Sequence, residues 1–268
     1  MTALLDATGI VKRFGGLVAV DDVDISVAPG EIVGLIGPNG SGKTTLFDCL
    51  SCVQRADSGA VRFDGEDITR RAPHQIARGG IARTFQIIRV YGALTVRENI
   101  ELSASWAGLG LRRMLSRTDP QTRRRADQLI DFLALGPLRD ERADTLSGGQ
   151  RRLAEIGMAL MSEPRLILLD EATSGVNPTL INEIKDRLVE VNASRGVALL
   201  LVEHNVQFIA ELCERVVVLD QGRKLAEGAP AHIMNNPEVI EAYFGAAAGD
   251  RGRGSSTAAP STPQDPNP

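Results

Sequence analysis

The spacing of apolar side chains changes period along the chain, and each change marks an element. Val23, Ile25 and Val27 alternate with Asp24 and Ser26, the period of two of a half-buried strand. Pro29-Gly30-Glu31 then turns the chain into Ile32-Val33-Gly34-Leu35-Ile36, a short apolar strand. A glycine-rich turn follows, then helical character from Lys43 to Cys52. Asp57-Ser58-Gly59 leads to a strand over Ala60-Val61-Arg62-Phe63. From about residue 88 to 163 the pattern is helical. One helix is expected over Val96 to Ala104. A longer one starts at Asp119-Pro120, where proline supplies a helix-ready φ, and runs through Leu135 to a stop at Gly136-Pro137. A third runs from Gly148 to Met161.

The β pattern returns with buried strands at Leu166 to Leu169 and Val197 to Val202. A helix over Pro178 to Asn192 begins behind Asn177, and another extends through Leu212. Val216 to Leu219 and Lys224 to Ala226 read as a terminal hairpin around Gly222-Arg223. Strands alternating with helices imply a mostly parallel sheet covered on both faces. The β-only start and end imply an antiparallel flank. Residues 246–268 hold Pro260, Pro263, Pro266 and Pro268 and no large apolar side chain, and are expected to form a disordered tail. No internal repeat is visible.

Composition narrows the function classes. With 43% apolar residues in 268, the chain can bury the core of one large domain, or of one domain with an insertion. A net charge of −4 argues against nucleic acid as the main partner, and 4% aromatics leave few platforms for stacking bases. The longest uninterrupted run of Val, Ala and Leu is Val197 to Val202, far short of the ~20 residues of a membrane-spanning helix. The first residues carry no basic region and no long apolar run, so a signal peptide is not expected. Three cysteines make no disulfide framework and fit a reducing compartment. Cys49 and Cys52 form a C-x-x-C without a second pair or a nearby histidine, inside an apolar helix-like run, and are expected to be core. Arg112, Arg113, Arg117, Arg123, Arg124 and Arg125 make one stretch basic; it is either a solvated helical face or a contact for a partner or anionic lipid heads.

Three motifs carry chemistry. Gly37-Pro38-Asn39-Gly40-Ser41-Gly42-Lys43-Thr44 matches G-x-x-x-x-G-K-[ST], with an apolar strand entering and a helix leaving. Its glycines let successive N–H groups face one concavity at a helix N-terminus, which suits phosphate. Lys43 would neutralise the β- and γ-phosphates, and the Thr44 hydroxyl would hold Mg²⁺. Leu166-Ile167-Leu168-Leu169-Asp170-Glu171 is a buried strand ending in two carboxylates. Asp170 is placed to hold the same Mg²⁺, and Glu171 to orient or deprotonate a water. Leu146-Ser147-Gly148-Gly149-Gln150 opens a helix whose exposed N–H groups form a second phosphate site without a lysine. Two phosphate half-sites in one chain point to two subunits paired head to tail. Each nucleotide would lie between the loop of one and the Ser-Gly-Gly of the other.

The motifs together resemble the ATP-binding subunit of ABC transporters, over about residues 4 to 245. The resemblance implies an α/β fold: a P-loop NTPase (RecA-like) core with an antiparallel β flank and an inserted all-α subdomain. The ATP-binding domain would span 1–245, with core segments of about 1–87 and 163–245, a helical subdomain of about 88–162, and the tail at 246–268. It extends the phosphate loop to Thr45 and places Phe14 against adenine, where the alternative is a surface or core aromatic. Gln86, in Arg83-Thr84-Phe85-Gln86, matches the glutamine that senses Mg²⁺ and the attacking water. Ser174-Gly175-Val176-Asn177-Pro178 matches the loop that crosses the dimer interface, and His204 the histidine that reaches the γ-phosphate.

The stretches at 15–20, 82–86, 175–178 and 236–245 are similar to the ATPases of branched-chain amino acid importers, whose relatives serve urea or short amides and lipopolysaccharide export. The implied cofactors are ATP and Mg²⁺. The implied partners are a second, homologous ATP-binding subunit, two transmembrane permease subunits and, indirectly, a substrate-binding protein. No nucleic acid partner is implied. The location would be the cytoplasmic face of the inner membrane, bound peripherally, with permease contact centred on about Ile87 to Thr95. Two rival classes are a soluble ABC ATPase acting on ribosomes or DNA, and a degenerate subunit that binds ATP without turnover.

Overall fold

The computed structural model describes residues 3–84, 90–104 and 119–243. Two sheets organise them. The first is antiparallel, built from β1 (Leu5–Phe14), β2 (Leu17–Val27), β4 (Ser58–Phe63) and β5 (Glu66–Asp67) in the order β2-β1-β4-β5. The second contains β3 (Ile32–Ile36), β6 (Ile81–Arg83), β7 (Leu166–Asp170), β8 (Ala198–Val202), β9 (Arg215–Asp220) and β10 (Arg223–Gly228). Its order is β10-β9-β3-β8-β7-β6, parallel except for the edge hairpin β9–β10.

Every residue of β3, β7 and β8 is buried, because this sheet is covered on both faces. Alternate side chains divide between two cores. Val33, Leu35, Leu166, Leu168, Leu200 and Val217 join α1 (Lys43–Leu50) and the inner face of the antiparallel sheet. Ile32, Ile36, Ile167, Leu169, Leu199 and Val218 join the helices of the opposite face. The helix that leaves the glycine-rich turn is thus sandwiched between the sheets, touching β1, β2 and β8.

Between β6 and β7 the named elements are all helical: α3 (Val96–Ala104), α4 (Pro120–Phe132), two short 3₁₀ turns and α5 (Gly148–Met161). The helix expected through Leu135 ends three residues earlier. Ala134 takes a left-handed φ of 56°, and the Leu135 N–H folds back to the Ile130 carbonyl, closing the helix so that Leu133 and Leu135 both stay buried. Asp119 stands at the N-cap of α4, but its carboxylate makes no capping bond. Beyond β7 come α6 (Pro178–Arg195), α7 (Val206–Leu212), α8 (Pro230–Met234) and a helix over 237–243. Six elements have no counterpart in the sequence reading: β1, β5, α2 (Pro73–Arg78), β6, α8 and the helix over 237–243.

Cys49, Cys52 and Cys213 are all buried and free. Burial pushes the Cys49 and Cys52 thiols up to about 11, so both stay protonated and act as core, as expected. Among the described residues no helix is long and apolar enough to cross a membrane. The proposed tail, Gln86, Arg89, Arg112, Arg113 and Arg117 lie outside the described residues. Of the remaining basic stretch, Arg123 and Arg124 are exposed, and Arg125 pairs with Glu163.

Candidate active site

Residues 37–42 link the buried end of β3 to the start of α1. Two glycines in this turn have no room for a side chain. A Cβ on Gly37 would lie 2.1 Å from the Leu219 carbonyl oxygen, and one on Gly42, at φ 98°, would lie 2.2 Å from that of Ala19. The turn is therefore pressed against β9 and β2, and the Gly222 N–H, donated to the Ser41 carbonyl, pins it to the β9–β10 turn. Lys43 is buried; its Nζ donates to the Gly37 and Pro38 carbonyls at 2.9 Å each and approaches Ser41 Oγ at 3.5 Å. Burial pushes its pKa down, while Glu171 and Asp170 oppose the shift. The side chain thus lies along the inside of its own loop, facing two carboxylates. Thr44 is exposed on the first turn of α1, and Thr45 is half-buried.

Asp170 ends β7 and is only 3% exposed. Burial raises its pKa, the neighbouring Glu171 charge adds to the rise, and Arg83 opposes it. Arg83 reaches Asp170 Oδ2 at 3.5 Å, but its closer partners are Asp48 at 2.7 Å and Ser51 Oγ at 2.6 Å. Asp170 is therefore a buried carboxylate with incomplete charge compensation. A hydroxyl and a carboxylate are the hard oxygen donors that Mg²⁺ prefers, so Thr44 and Asp170 suit that ion.

Glu171 adopts φ 48°, a left-handed conformation that is costly for a residue with a side chain. Its N–H donates to the Val202 carbonyl at 2.9 Å, and its Oε1 lies 3.2 Å from His204 Nε2. Adjacent parallel strands β7 and β8 make this meeting possible, since Asp170 pairs with Val202 in register. The loop holding His204 is fixed by Glu203, which is 2% exposed. Glu203 accepts the Thr173 N–H and hydroxyl at 2.8 Å each and the His204 N–H at 3.3 Å. Burial raises the pKa of Glu203, and these donors oppose the rise.

Ser147 caps α5. The Gln150 N–H donates to Ser147 Oγ at 3.3 Å, and the Ser147 N–H to Gln150 Oε1 at 2.9 Å. Gly149 packs on α6: a Cβ there would lie 2.6 Å from Leu180 Cδ1. Gly148 faces the Gly175 carbonyl of the loop before α6, and Asn177 caps that helix by accepting the Leu180 N–H at 2.9 Å. Phe14, at the β1–β2 turn, is 49% exposed, with the Lys12 ammonium 5.4 Å from its ring centre; it is not a core aromatic. The structure thus brings Lys43, Asp170, Glu171 and His204 to the carboxyl ends of neighbouring strands of one sheet. Ser147 to Gln150 open a helix of the opposite layer.

The family model "ABC transporter" matches residues 20–174. The chain belongs to the ABC transporter ATP-binding family. A second model, "Branched-chain amino acid ATP-binding cassette transporter", matches residues 223–249. The cassette is 36% identical to the high-affinity branched-chain amino acid transport ATP-binding protein BraF of Pseudomonas aeruginosa, over 91% of this chain and 98% of the relative. It is 39% identical to a probable branched-chain amino acid transport ATP-binding protein, LivG, of Archaeoglobus fulgidus, over 91% and 96%. It is also 37% identical to the lipopolysaccharide export system ATP-binding protein LptB of Haemophilus influenzae, over 91% and 98%. Among solved structures it resembles the ADP conformation of an ABC transporter cassette, at TM-score 0.83 and 35% identity, over 91% of this chain and all of that one. A nucleotide-free cassette matches at TM-score 0.82 and 34% identity, over 90% and 98%. The fold is the α/β P-loop NTPase fold expected of the family, and membership implies ATP binding and hydrolysis.

Three residues of the cassette's site were given no role by the motifs. Arg83 supplies positive charge to Asp170, Glu203 holds the His204 loop, and Arg152 bonds to Glu171. Glu203 stands directly before His204, one residue past the buried strand β8, a legible signal of a buried carboxylate. Arg152 is spaced three residues from Glu155 inside an apolar helix, a weaker one.

Proposed function

We propose that this chain is the ATP-hydrolysing subunit of a transporter that imports branched-chain amino acids or similar small solutes through separate permease subunits. The match of residues 223–249 to a branched-chain cassette model carries the substrate class, and the names of the BraF and LivG relatives support it. The pairing of Glu171 Oε1 with His204 Nε2 at 3.2 Å, beside Lys43, supports turnover rather than simple ATP binding.

In this reading the amides of residues 37–44 cradle the phosphates, and the Lys43 ammonium turns from its loop carbonyls to the β- and γ-phosphates. Thr44 and Asp170 would hold Mg²⁺, with Gln86 near it; the ion neutralises charge on the phosphates when bound. Glu171 orients the attacking water and takes its proton. His204 holds Glu171 in place and reaches the γ-phosphate. Phe14 stacks on adenine. Ser147, Gly148, Gly149 and Gln150 serve the nucleotide of a second ATP-binding subunit, arranged head to tail. The complex sits at the cytoplasmic face of the membrane, and a substrate-binding protein acts on the permeases. Tyr91, 52% exposed with its backbone anchored on both sides by Asn99, belongs to the surface offered to the permease. The helical stretch of about 88–162 moves as a subdomain against the core.

The test is reconstitution in liposomes with the second ATPase, two permeases and a binding protein, with leucine inside the substrate-binding protein. ATP-dependent leucine uptake supports the reading. ATPase activity that responds to lipopolysaccharide and not to leucine would favour an export function like that of the Haemophilus relative.

A further inference from the structure

Arg152 lies in the second turn of α5 and is 1% exposed. Its Nη1 donates to Glu155 Oε2 at 2.6 Å, one turn further along the helix. Its Nη2 donates to the backbone carbonyl of Glu171 at 2.8 Å. Glu171 has a strained φ of 48°, and its N–H is held by the Val202 carbonyl. Arg152 therefore fixes the peptide after Glu171, as β8 fixes the one before it, at the residue whose carboxylate meets His204. A strained backbone persists only where its surroundings over-determine it, and this guanidinium is one of the bonds that do so.

The same helix begins with the capped turn Ser147–Gln150, so Arg152 stands one turn from the N–H groups that face phosphate. In a head-to-tail pair, the phosphate at Ser147–Gly149 belongs to the partner's nucleotide, whereas Glu171 serves the nucleotide on this chain's own loop. We propose that Arg152 is a positioning residue that ties the start of α5 to the Glu171 backbone, so that closure of one nucleotide site sets the water-orienting carboxylate of the other. The proposal rests on the role given to Glu171 above.

Removing Arg152 alone would take from the buried Glu155 carboxylate the cation that bonds it at 2.6 Å, so two kinds of variant are needed. Arg152→Lys keeps a positive charge for Glu155, but a compact ammonium lacks the planar fork that spans both acceptors. The double variant Arg152→Met/Glu155→Met removes the ion pair whole and leaves an apolar helix face. Each is paired with the wild-type second ATPase. ATP affinity, melting temperature, KM and kcat are measured beside Glu171→Gln and beside Ser147→Ala in both backgrounds. Both Arg152 variants are expected to keep ATP affinity and KM within about twofold while kcat falls about tenfold or more. Ser147→Ala should lower kcat in wild type by at least about threefold and add little in the double variant, the signature of coupled residues. Unchanged kcat in the double variant, or losses from Ser147→Ala that multiply independently, would overturn the proposal while leaving Glu171's role intact. Parallel loss of ATP affinity and kcat in both variants would overturn it too, because Arg152 would then be holding the fold. Wild-type turnover by Glu171→Gln would remove the role of Glu171 and this proposal together.

Discussion

Burying Asp170 at 3% exposure raises its pKa, which has a consequence for stability. A carboxyl whose folded-state pKa is raised takes its proton more readily in the folded chain, so its ionisation costs stability above the ordinary carboxylate range. The cost disappears as the pH falls and both states become protonated. Asp170→Asn should therefore raise the melting temperature of the nucleotide-free protein at neutral pH. Arg83 keeps Asp48 and Ser51 as partners in that variant. The gain should shrink towards pH ~4, and Mg²⁺-dependent ATPase activity should be lost. Thermal melts across pH check this; a melting temperature lowered at neutral pH would contradict it. Lys43 and Phe14 should separate in the same protein. Lys43→Ala removes the charge facing two phosphates and should abolish measurable ATP binding. Phe14→Ala removes one stacking contact and should weaken binding about ten- to a hundredfold, from ~1–3 kcal/mol. Nucleotide titration distinguishes the two, and equal binding by Lys43→Ala and wild type would sink the loop assignment.

At the scale of elements, the starts of several helices were legible because caps are local chemistry. Pro178 behind Asn177 and Gly148 behind Ser147 begin helices where expected, each with a side-chain cap. β1 was not legible. Gly9 has a φ of 59° and the pairing with β2 slips at several points, so its side chains do not alternate cleanly. β6 has only three residues, too few to show a period, although it leads into Gln86. The packing of α5 on α6 offers a test of its own. Gly149→Ala would place a Cβ 2.6 Å from Leu180 Cδ1 and 2.9 Å from Leu180 Cβ. The variant should lose about 1–3 kcal/mol by overpacking, and Leu180→Ala in the same chain should restore a large part of it. Denaturant melts of the two single variants and the double would show this, and strictly additive losses would contradict it. Tyr91→Ala, by contrast, should leave ATPase activity of the isolated subunit within about twofold and cut substrate-stimulated activity of the assembled complex about tenfold, ~1.4 kcal/mol of coupling. Unimpaired transport by Tyr91→Ala would move the permease contact elsewhere.

Across the whole molecule, the motifs named the residues expected to carry chemistry, and the sheet order explains how Lys43, Asp170, Glu171 and His204 come together. The phosphate loop is contiguous in sequence and could be read directly. Glu171 and His204 are 33 positions apart and meet because β7 and β8 are neighbours, a non-local pairing that no local pattern encodes. The contact of Arg152 is non-local in the same way, since its acceptor is the Glu171 backbone beyond β7. In the proposed function the two phosphate half-sites lie on opposite layers of one chain and are productive only across two chains, so ATP should drive association with the second subunit. The measurement that bears most directly on the proposed function is phosphate release by Glu171→Gln, with ATP, Mg²⁺ and the second ATP-binding subunit present. The substitution keeps the size of the side chain and its approach to His204 but removes the base. Turnover should fall at least about a hundredfold with ATP binding retained. Release at the wild-type rate would show that Glu171 does not direct the water, and that the carboxylate beside His204 is structural.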